Sequence, residues 1–231
     1  MWRCENFSRS DLIYGFSSLR DGNMSYSRSE SGVLANRINF LKSLGISRGE
    51  VNVMGVAHGK RVVKISKGSY KGESISWRGV ENVDGMFTLA KEVYLFATFA
   101  DCLPIFFYCP DGCCGLVHAG WRGVVKNVVS SFAGAIKKEG FSLKSFCVGV
   151  GPHILNCCFK VGAEVAGLFP KRALGPGNFV DLKTVVERQL LDSGFVKDKI
   201  SLGSECTKER GYYSHRRTHG RGANAAVIGM R

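Results

Sequence analysis

The sequence predicts a mixed fold in which apolar strands alternate with amphipathic helices, and three observations carry that prediction. Short apolar runs bounded by turn residues recur along the 231 residues, most densely from Val93 to Phe107. Elsewhere apolar residues fall at three- and four-residue steps, most clearly Trp121, Val124, Val125, Val128, Val129, Phe132 and Ile136. With 45% hydrophobic residues the chain can bury a sizeable core, as one large domain or two small ones. No stretch approaches the roughly 20 apolar residues of a membrane span. Met1 to Ser10 lacks the apolar segment of a secretory signal, so the protein is expected in the cytoplasm.

In chain order, residues 11–20 read as a strand with turn chemistry, followed by the loop signal Asp21-Gly22-Asn23. Leu34, Ile38, Leu41 and Leu44 mark the apolar stripe of a helix with Ser31 as candidate N-cap, Gly45 as its stop and Arg37 beside the stripe. Val51 to Ala57 is a strand ending at His58-Gly59, and Arg61 to Ser66 is a second strand leaving that turn. Asp84-Gly85 turns the chain into Met86 to Ala90. The apolar heart from Val93 to Phe107 is interrupted at Asp101-Cys102, and a second buried run closes at His118. Residues 121–138 form the clearest amphipathic helix. Arg122 then sits at a helix N-terminus, where backbone N–H groups and the dipole favour anions, although an arginine that merely covers its own helix end fits equally well. Ser145 to Gly151 is a strand, followed by Gly151-Pro152-His153 and a helix around 161–169 stopped by Pro170. Gly175-Pro176-Gly177 is a turn, Asp181 caps a helix carrying Leu182, Val185, Val186 and Leu190, and Ala223 to Met230 is the closing strand.

Thirty-two Lys and Arg against 19 Asp and Glu leave a net charge of +13, which attracts anions of several kinds. No zinc-finger spacing, RNP-like aromatic signature or basic tail singles out nucleic acid. The segment from Cys206 to Arg221, with Tyr212 and Tyr213 among its basic residues, suits either a phosphate or a stretch of RNA. Nine cysteines, an odd number with vicinal pairs at Cys113-Cys114 and Cys157-Cys158, fit reduced thiols better than a disulfide framework. Cys109 and Cys113 could begin a zinc knuckle, but no second pair at ligand spacing answers them.

His58, Cys102 and His118 each end or interrupt an apolar strand, and each is a soft or borderline metal ligand. Three protein ligands with a vacant fourth position describe a catalytic zinc. Separations of 44 and 16 residues say nothing by themselves about proximity. The same trio could make a blue-copper centre with Met54 or Met86 axial, or a Cys-His hydrolase with Cys102 as nucleophile. A multicopper site fits poorly, because the chain has only five histidines and no His-x-His pair.

Val56-Ala-His-Gly59, Asp84-Gly-Met-Phe-Thr88, Ala100-Asp-Cys-Leu-Pro104, His118-Ala-Gly-Trp-Arg-Gly123, Gly151-Pro-His-Ile154 with Cys157-Cys158, and Arg216-Arg217 with Gly220-Arg221 occur in that order. Together they resemble the purine nucleoside phosphorylase family formerly described as polyphenol oxidase, laccase domain. The resemblance spans nearly the whole chain and implies an α+β fold of layered mixed β-sheets packed between helices, as a single domain over residues 1–231. It further implies an enzyme with one catalytic zinc, copper fitting less well, that phosphorolyses adenosine, inosine, guanosine and methylthioadenosine and also deaminates adenosine. The metal ligands carry over to His58, Cys102 and His118. The partners implied are purine nucleosides and phosphate; the lack of an apolar span argues against a membrane, and nucleic acid is the less favoured partner. Phosphorolysis needs fixed cations around a phosphate dianion, for which Arg122, Arg217 and Arg37 are the candidates. Asp101 is a candidate general base, or a group that orients a zinc ligand. The sequence departs from the family pattern at Val56, where glutamine is common, at Phe159-Lys160 in place of Tyr-Glu, and at His215-Arg216-Arg217-Thr218.

Overall fold

The computed structural model describes residues 2, 4–7, 11–26, 32–69, 72–209 and 211–231. Its strands are β1 (Leu12–Phe16), β2 (Gly49–Gly55), β3 (Val62–Ile65), β4 (Ile75–Glu81), β5 (Gly85–Thr88), β6 (Val93–Phe99), β7 (Leu103–Cys109), β8 (Cys113–Ala119), β9 (Cys147–Val150), β10 (Leu174–Gly175), β11 (Phe179–Val180), β12 (Ile200–Leu202) and β13 (Asn224–Met230). The α-helices are α1 (Val33–Ser43), α2 (Trp121–Val125), α3 (Val128–Lys138), α4 (Ala163–Ala166), α5 (Leu182–Ser193) and α6 (His215–Thr218). One sheet has the order β1-β13-β6-β2-β4 and a second the order β12-β9-β7-β8-β5-β3, while β10 and β11 pair separately. Both large sheets are mixed. β6 pairs antiparallel with β13 but parallel with β2, and β5 pairs antiparallel with β8 but parallel with β3.

Strand alternation sorts the side chains into layers. Along β6, Leu95, Ala97 and Phe99 face the second sheet, whereas Tyr94 and Phe96 face α1. Along β7 and β8, Phe106, Tyr108, Cys114 and Leu116 meet the first sheet, while Ile105, Phe107, Val117 and Ala119 pack under α3 and α5. The result is helix, sheet, sheet, helix, the layered mixed-sheet arrangement that the family resemblance implies. Strands covered on both faces have no polar face to show, which is why β6, β7 and β8 read as continuous apolar runs.

Several local expectations are corrected. The stretch 121–138 is two helices, because Asn127 takes a left-handed conformation (φ 56°) and its side chain caps α3 by accepting the Ser130 N–H at 3.0 Å. Asparagine tolerates that conformation at low cost, so the apolar period continues across a break in the backbone. Residues 11–20 supply only the five-residue β1 followed by a short 3-10 turn, and the helix around 161–169 shrinks to Ala163–Ala166 between Gly162 and Gly167. Strand β4 carries no clear apolar alternation; it is a sheet edge with partly exposed residues. On α1 the buried residues are Val33, Arg37, Phe40 and Leu41, while Leu34 is 48% exposed, so the buried face is rotated from the expected stripe. Ser31 lies outside the described residues, and the N-cap of α1 is Gly32, which offers no side-chain cap. Gly45 does follow its end with φ 77°. Asp181 caps α5 as expected, accepting the Thr184 N–H at 3.0 Å.

Candidate metal centre

At one end of the space between the two sheets, His58, Cys102 and His118 bring three ligand atoms within 4.8 Å of one another. His58 follows the end of β2 and takes a left-handed conformation (φ 55°). Cys102 sits in the β6–β7 connection, beside Asp101 at φ 87°. His118 is the penultimate residue of β8, on the face that meets the first sheet. The two imidazoles meet edge-on with centroids 5.1 Å apart, and the Phe99 ring lies against His118 at 5.1 Å. Burial is graded: His118 is buried, Cys102 half-buried and His58 exposed. One side of the donor set therefore opens to solvent.

Two glycines make room for this arrangement. A Cβ on Gly120 would stand 2.9 Å from Cys102 Sγ, 3.4 Å from His58 Cδ2 and 3.5 Å from His118 Cε1. A Cβ on Gly123 would stand 3.0 Å from the Gly59 carbonyl oxygen, so α2 packs directly on the turn that carries His58.

Asp84 positions both histidines, a role that reading Asp84-Gly85 as a turn did not reveal. Fully buried at the start of β5, it accepts the Gly59 N–H on Oδ2 at 2.7 Å, and its carbonyl accepts the His118 N–H at 2.8 Å. Its Oδ1 lies 3.7 Å from His118 Nδ1, an ion-pair distance longer than a hydrogen bond. The available signal was a carboxylate in Asp84-Gly-Met-Phe-Thr88, one of the same ordered set of motifs as those that carry His58 and His118, since a ligating histidine usually turns its second nitrogen to a carboxylate.

The charges in the cluster reinforce one another. Burial alone would raise the Cys102 thiol, but the His118 charge and hydrogen bonds from His118 and His58 outweigh it and bring the thiol down to about 6. Burial would lower His118, yet the Cys102 sulfur and the Asp84 carboxylate lift it to about 9. Burial opposes ionisation of Asp84 as well, and His118 with the Gly59 N–H holds it below the usual carboxylate range. A thiolate is the form that ligates a metal, and a cation bound here displaces the His118 proton. Two imidazole nitrogens, one thiolate and an open side fit a zinc ion with one exchangeable position. His118 Nδ1 and Asp84 Oδ1, both buried without a hydrogen bond, fit a carboxylate that orients a ligating imidazole.

The other sequence-selected residues fall in three places. Arg122 is exposed on α2 beside the His58 turn, its guanidinium 4.2 Å from the centre of the Trp121 ring. Asp101 does not bond to the donor trio. Its Oδ1 accepts the Thr207 hydroxyl and its Oδ2 the Arg216 N–H, both at 2.7 Å, and its carbonyl accepts the Ile154 N–H at 2.9 Å. Arg217 donates to the carbonyls of Thr207 at 3.3 Å and Lys208 at 2.7 Å, and also to those of Glu209 and Tyr212. Its guanidinium thus ties Thr207, Lys208 and Glu209 to Tyr212. Arg37 is not brought to the trio. It is 5% exposed, donates from Nε and Nη2 to the Met24 carbonyl at 2.8 and 2.6 Å, and packs on Tyr26 and Phe96. Phe96 and Phe99 point to opposite faces of the first sheet, so that sheet separates Arg37 from His118.

Residues 14–231 match the family described as multi-copper polyphenol oxidoreductase laccase. The chain belongs to that family. Its relatives include purine nucleoside phosphorylase YlmD of Bacillus subtilis (strain 168), 32% identical over 190 residues that cover 75% of this chain and 68% of that one. The namesake from Geobacillus stearothermophilus is 33% identical over 191 residues, with 75% and 70% covered. The crystal structure of YlmD from Geobacillus stearothermophilus superimposes with a TM-score of 0.86 at 27% identity, covering 99% of this chain and 94% of that chain. Among the described residues no helix is long and apolar enough to cross a membrane.

Proposed function

We propose that this laccase-family chain is a zinc-dependent purine nucleoside phosphorylase acting on adenosine, inosine, guanosine and methylthioadenosine, with a second activity as an adenosine deaminase. The observation that carries the proposal is the convergence of His58, Cys102 and His118 on a half-open site, in a chain whose relatives are named purine nucleoside phosphorylases. Zinc is favoured over multicopper chemistry because the metal-competent groups among the described residues contain only two histidines, both in this trio. When bound, zinc supplies Lewis acidity, which acidifies water and polarises a substrate atom.

The residues divide the remaining work. In phosphorolysis a phosphate oxygen forms a bond to the anomeric carbon as the bond to the purine nitrogen breaks, and positive charge builds on the ribose while negative charge builds on the base. Phosphate must therefore be held by a fixed cation next to the sugar. We assign that contact to Arg122, a reading supported by its exposure on the short helix packed against the His58 turn. Asp101 and Arg217 act as positioning residues, fastening Thr207, Lys208 and Arg216 alongside the Cys102 connection. Deamination replaces the C6 amine with a water oxygen and releases ammonia, and it has no need of phosphate.

The test is to incubate purified protein with inosine or adenosine, with and without phosphate, and to separate the products by chromatography. Hypoxanthine release from inosine should require phosphate, whereas conversion of adenosine to inosine should proceed without it and stop on chelation. Base release without phosphate, or no conversion of any of the four nucleosides by zinc-loaded protein, would overturn the assignment.

A further inference from the structure

A second set of metal-competent side chains lies outside the centre described above. The sulfurs of Cys157, Cys158 and Cys206 are within 4.8 Å of one another, and no step of the proposed reaction uses them. Two chain segments far apart in sequence are held together to make this group. His153 and Cys206 form a parallel β-bridge, in which the His153 N–H donates to the Glu205 carbonyl at 3.2 Å and the Thr207 N–H donates to the His153 carbonyl at 3.0 Å. The following turn closes through the Cys158 N–H, which donates to the Leu155 carbonyl at 2.9 Å, and the Leu155 N–H donates to Cys206 Sγ at 3.5 Å. Cys157 and Cys158 stand with their sulfurs 3.5 Å apart. Cys206 is buried, Cys158 half-buried and Cys157 exposed, so the sulfurs lead from the interior to solvent and give an ion a way in.

We propose that Cys157, Cys158 and Cys206 form a three-coordinate binding site for a soft d10 cation, Cu(I). An all-sulfur donor set excludes magnesium, calcium and manganese, which take oxygen ligands, and selects thiophilic ions. The number of donors then separates the candidates. The group has three members with no histidine or carboxylate among them, whereas a structural zinc is closed by four protein ligands. A trigonal set with metal–sulfur bonds of about 2.3 Å places its sulfurs about 4 Å apart, so closing this cluster asks each sulfur to move by less than about 1 Å. The site ties together the two segments that Asp101 also fastens, through Ile154 and Thr207.

The experiment uses the full chain as Cys102→Ser, which removes the sulfur of the first centre, under anaerobic reducing conditions. Cu(I) is titrated in competition with a chromogenic Cu(I) chelator, and X-ray absorption counts the sulfurs around the bound ion. One equivalent of Cu(I) in a three-sulfur shell is expected, with affinity falling at least 100-fold on adding Cys157→Ser or Cys158→Ser. Cys157 is exposed, so its serine variant keeps the fold, and circular dichroism confirms this for both. Three results overturn the proposal: no uptake of Cu(I) by the Cys102→Ser chain, uptake that survives both added substitutions, or a bound ion with two or four sulfurs. A Zn(II) titration of the same protein is the second arm. Zinc held at this cluster more tightly than Cu(I) overturns the choice of ion.

Discussion

Substituting alanine for Gly120 tests the donor trio without touching a ligand. The glycine lies in an extended conformation (φ −73°, ψ 167°), which any residue can adopt, so backbone strain is not at issue. On the unfolded-state side, alanine in place of glycine at a compatible position is worth about 0.4–1 kcal/mol of stability. The conflict lies with the donors, since the new Cβ would stand 2.9 Å from Cys102 Sγ. Relaxing that contact to about 3.7 Å moves the sulfur by roughly 0.8 Å. Metal–ligand distances tolerate only about 0.2 Å, so the low-cost relief, rotation of Cys102 about χ1, takes the sulfur out of the donor set. The expected outcome is a loss of zinc affinity of at least 10–100-fold, about 1.4–2.8 kcal/mol, comparable to losing an outer-shell partner. Metal-free thermal stability should change by less than about 1 kcal/mol. Zinc affinity is measured against a chromogenic chelator and stability by thermal unfolding in excess chelator. A Gly120→Ala protein that binds zinc as tightly as the wild type would refute the reasoning, because three ligands closing on one ion leave no place for that methyl group.

Three further outcomes follow from the same structure. Asp84→Asn keeps the shape but removes the charge facing His118 Nδ1, so zinc affinity should fall about 10–100-fold; unchanged affinity by chelator competition would deny Asp84 its positioning role. Arg37→Ala should cost about 3 kcal/mol, through the lost charged hydrogen bonds to Met24 and the aromatic stacking. That corresponds to a Tm lower by roughly 6–12 °C, and the phosphate KM of the folded variant should stay unchanged; a raised KM at full stability would return Arg37 to the phosphate site. Asp101→Asn should weaken the hold on Thr207 and Arg216 by about 1.5–3 kcal/mol while leaving zinc in place, read as faster amide exchange confined to residues 206–209 and 211–217.

The elements that the sequence determined are those whose information is local. Runs such as Val93–Phe99 and Cys113–Ala119 are apolar at nearly every position because they are covered on both faces, and this makes them visible without partners. Caps and stops such as Asp181 and Gly45 were legible for the same reason, since a side chain that accepts an N–H three residues on, or a glycine at positive φ, acts within one turn. The motifs around His58, Cys102 and His118 named those residues and the family. Their separations contained no distance, and only the packing of two sheets, with β2 and β6 in one and β8 in the other, sets the three donors within 4.8 Å. Three-dimensional packing also decided the polar assignments. Arg37 at a helical position beside an apolar stripe reads like any surface arginine until Phe96 and the Met24 carbonyl close around it. Asp84 reads as a turn former until β5 pairs with β8 and puts its carboxylate opposite His118. Cys206 has no ligand spacing to Cys157 and Cys158 in sequence, and only the bridge between His153 and Cys206 brings its sulfur to theirs. A backbone period is set by neighbours in the chain, whereas the partner of a buried charge or thiol is set by whichever strand lies across from it.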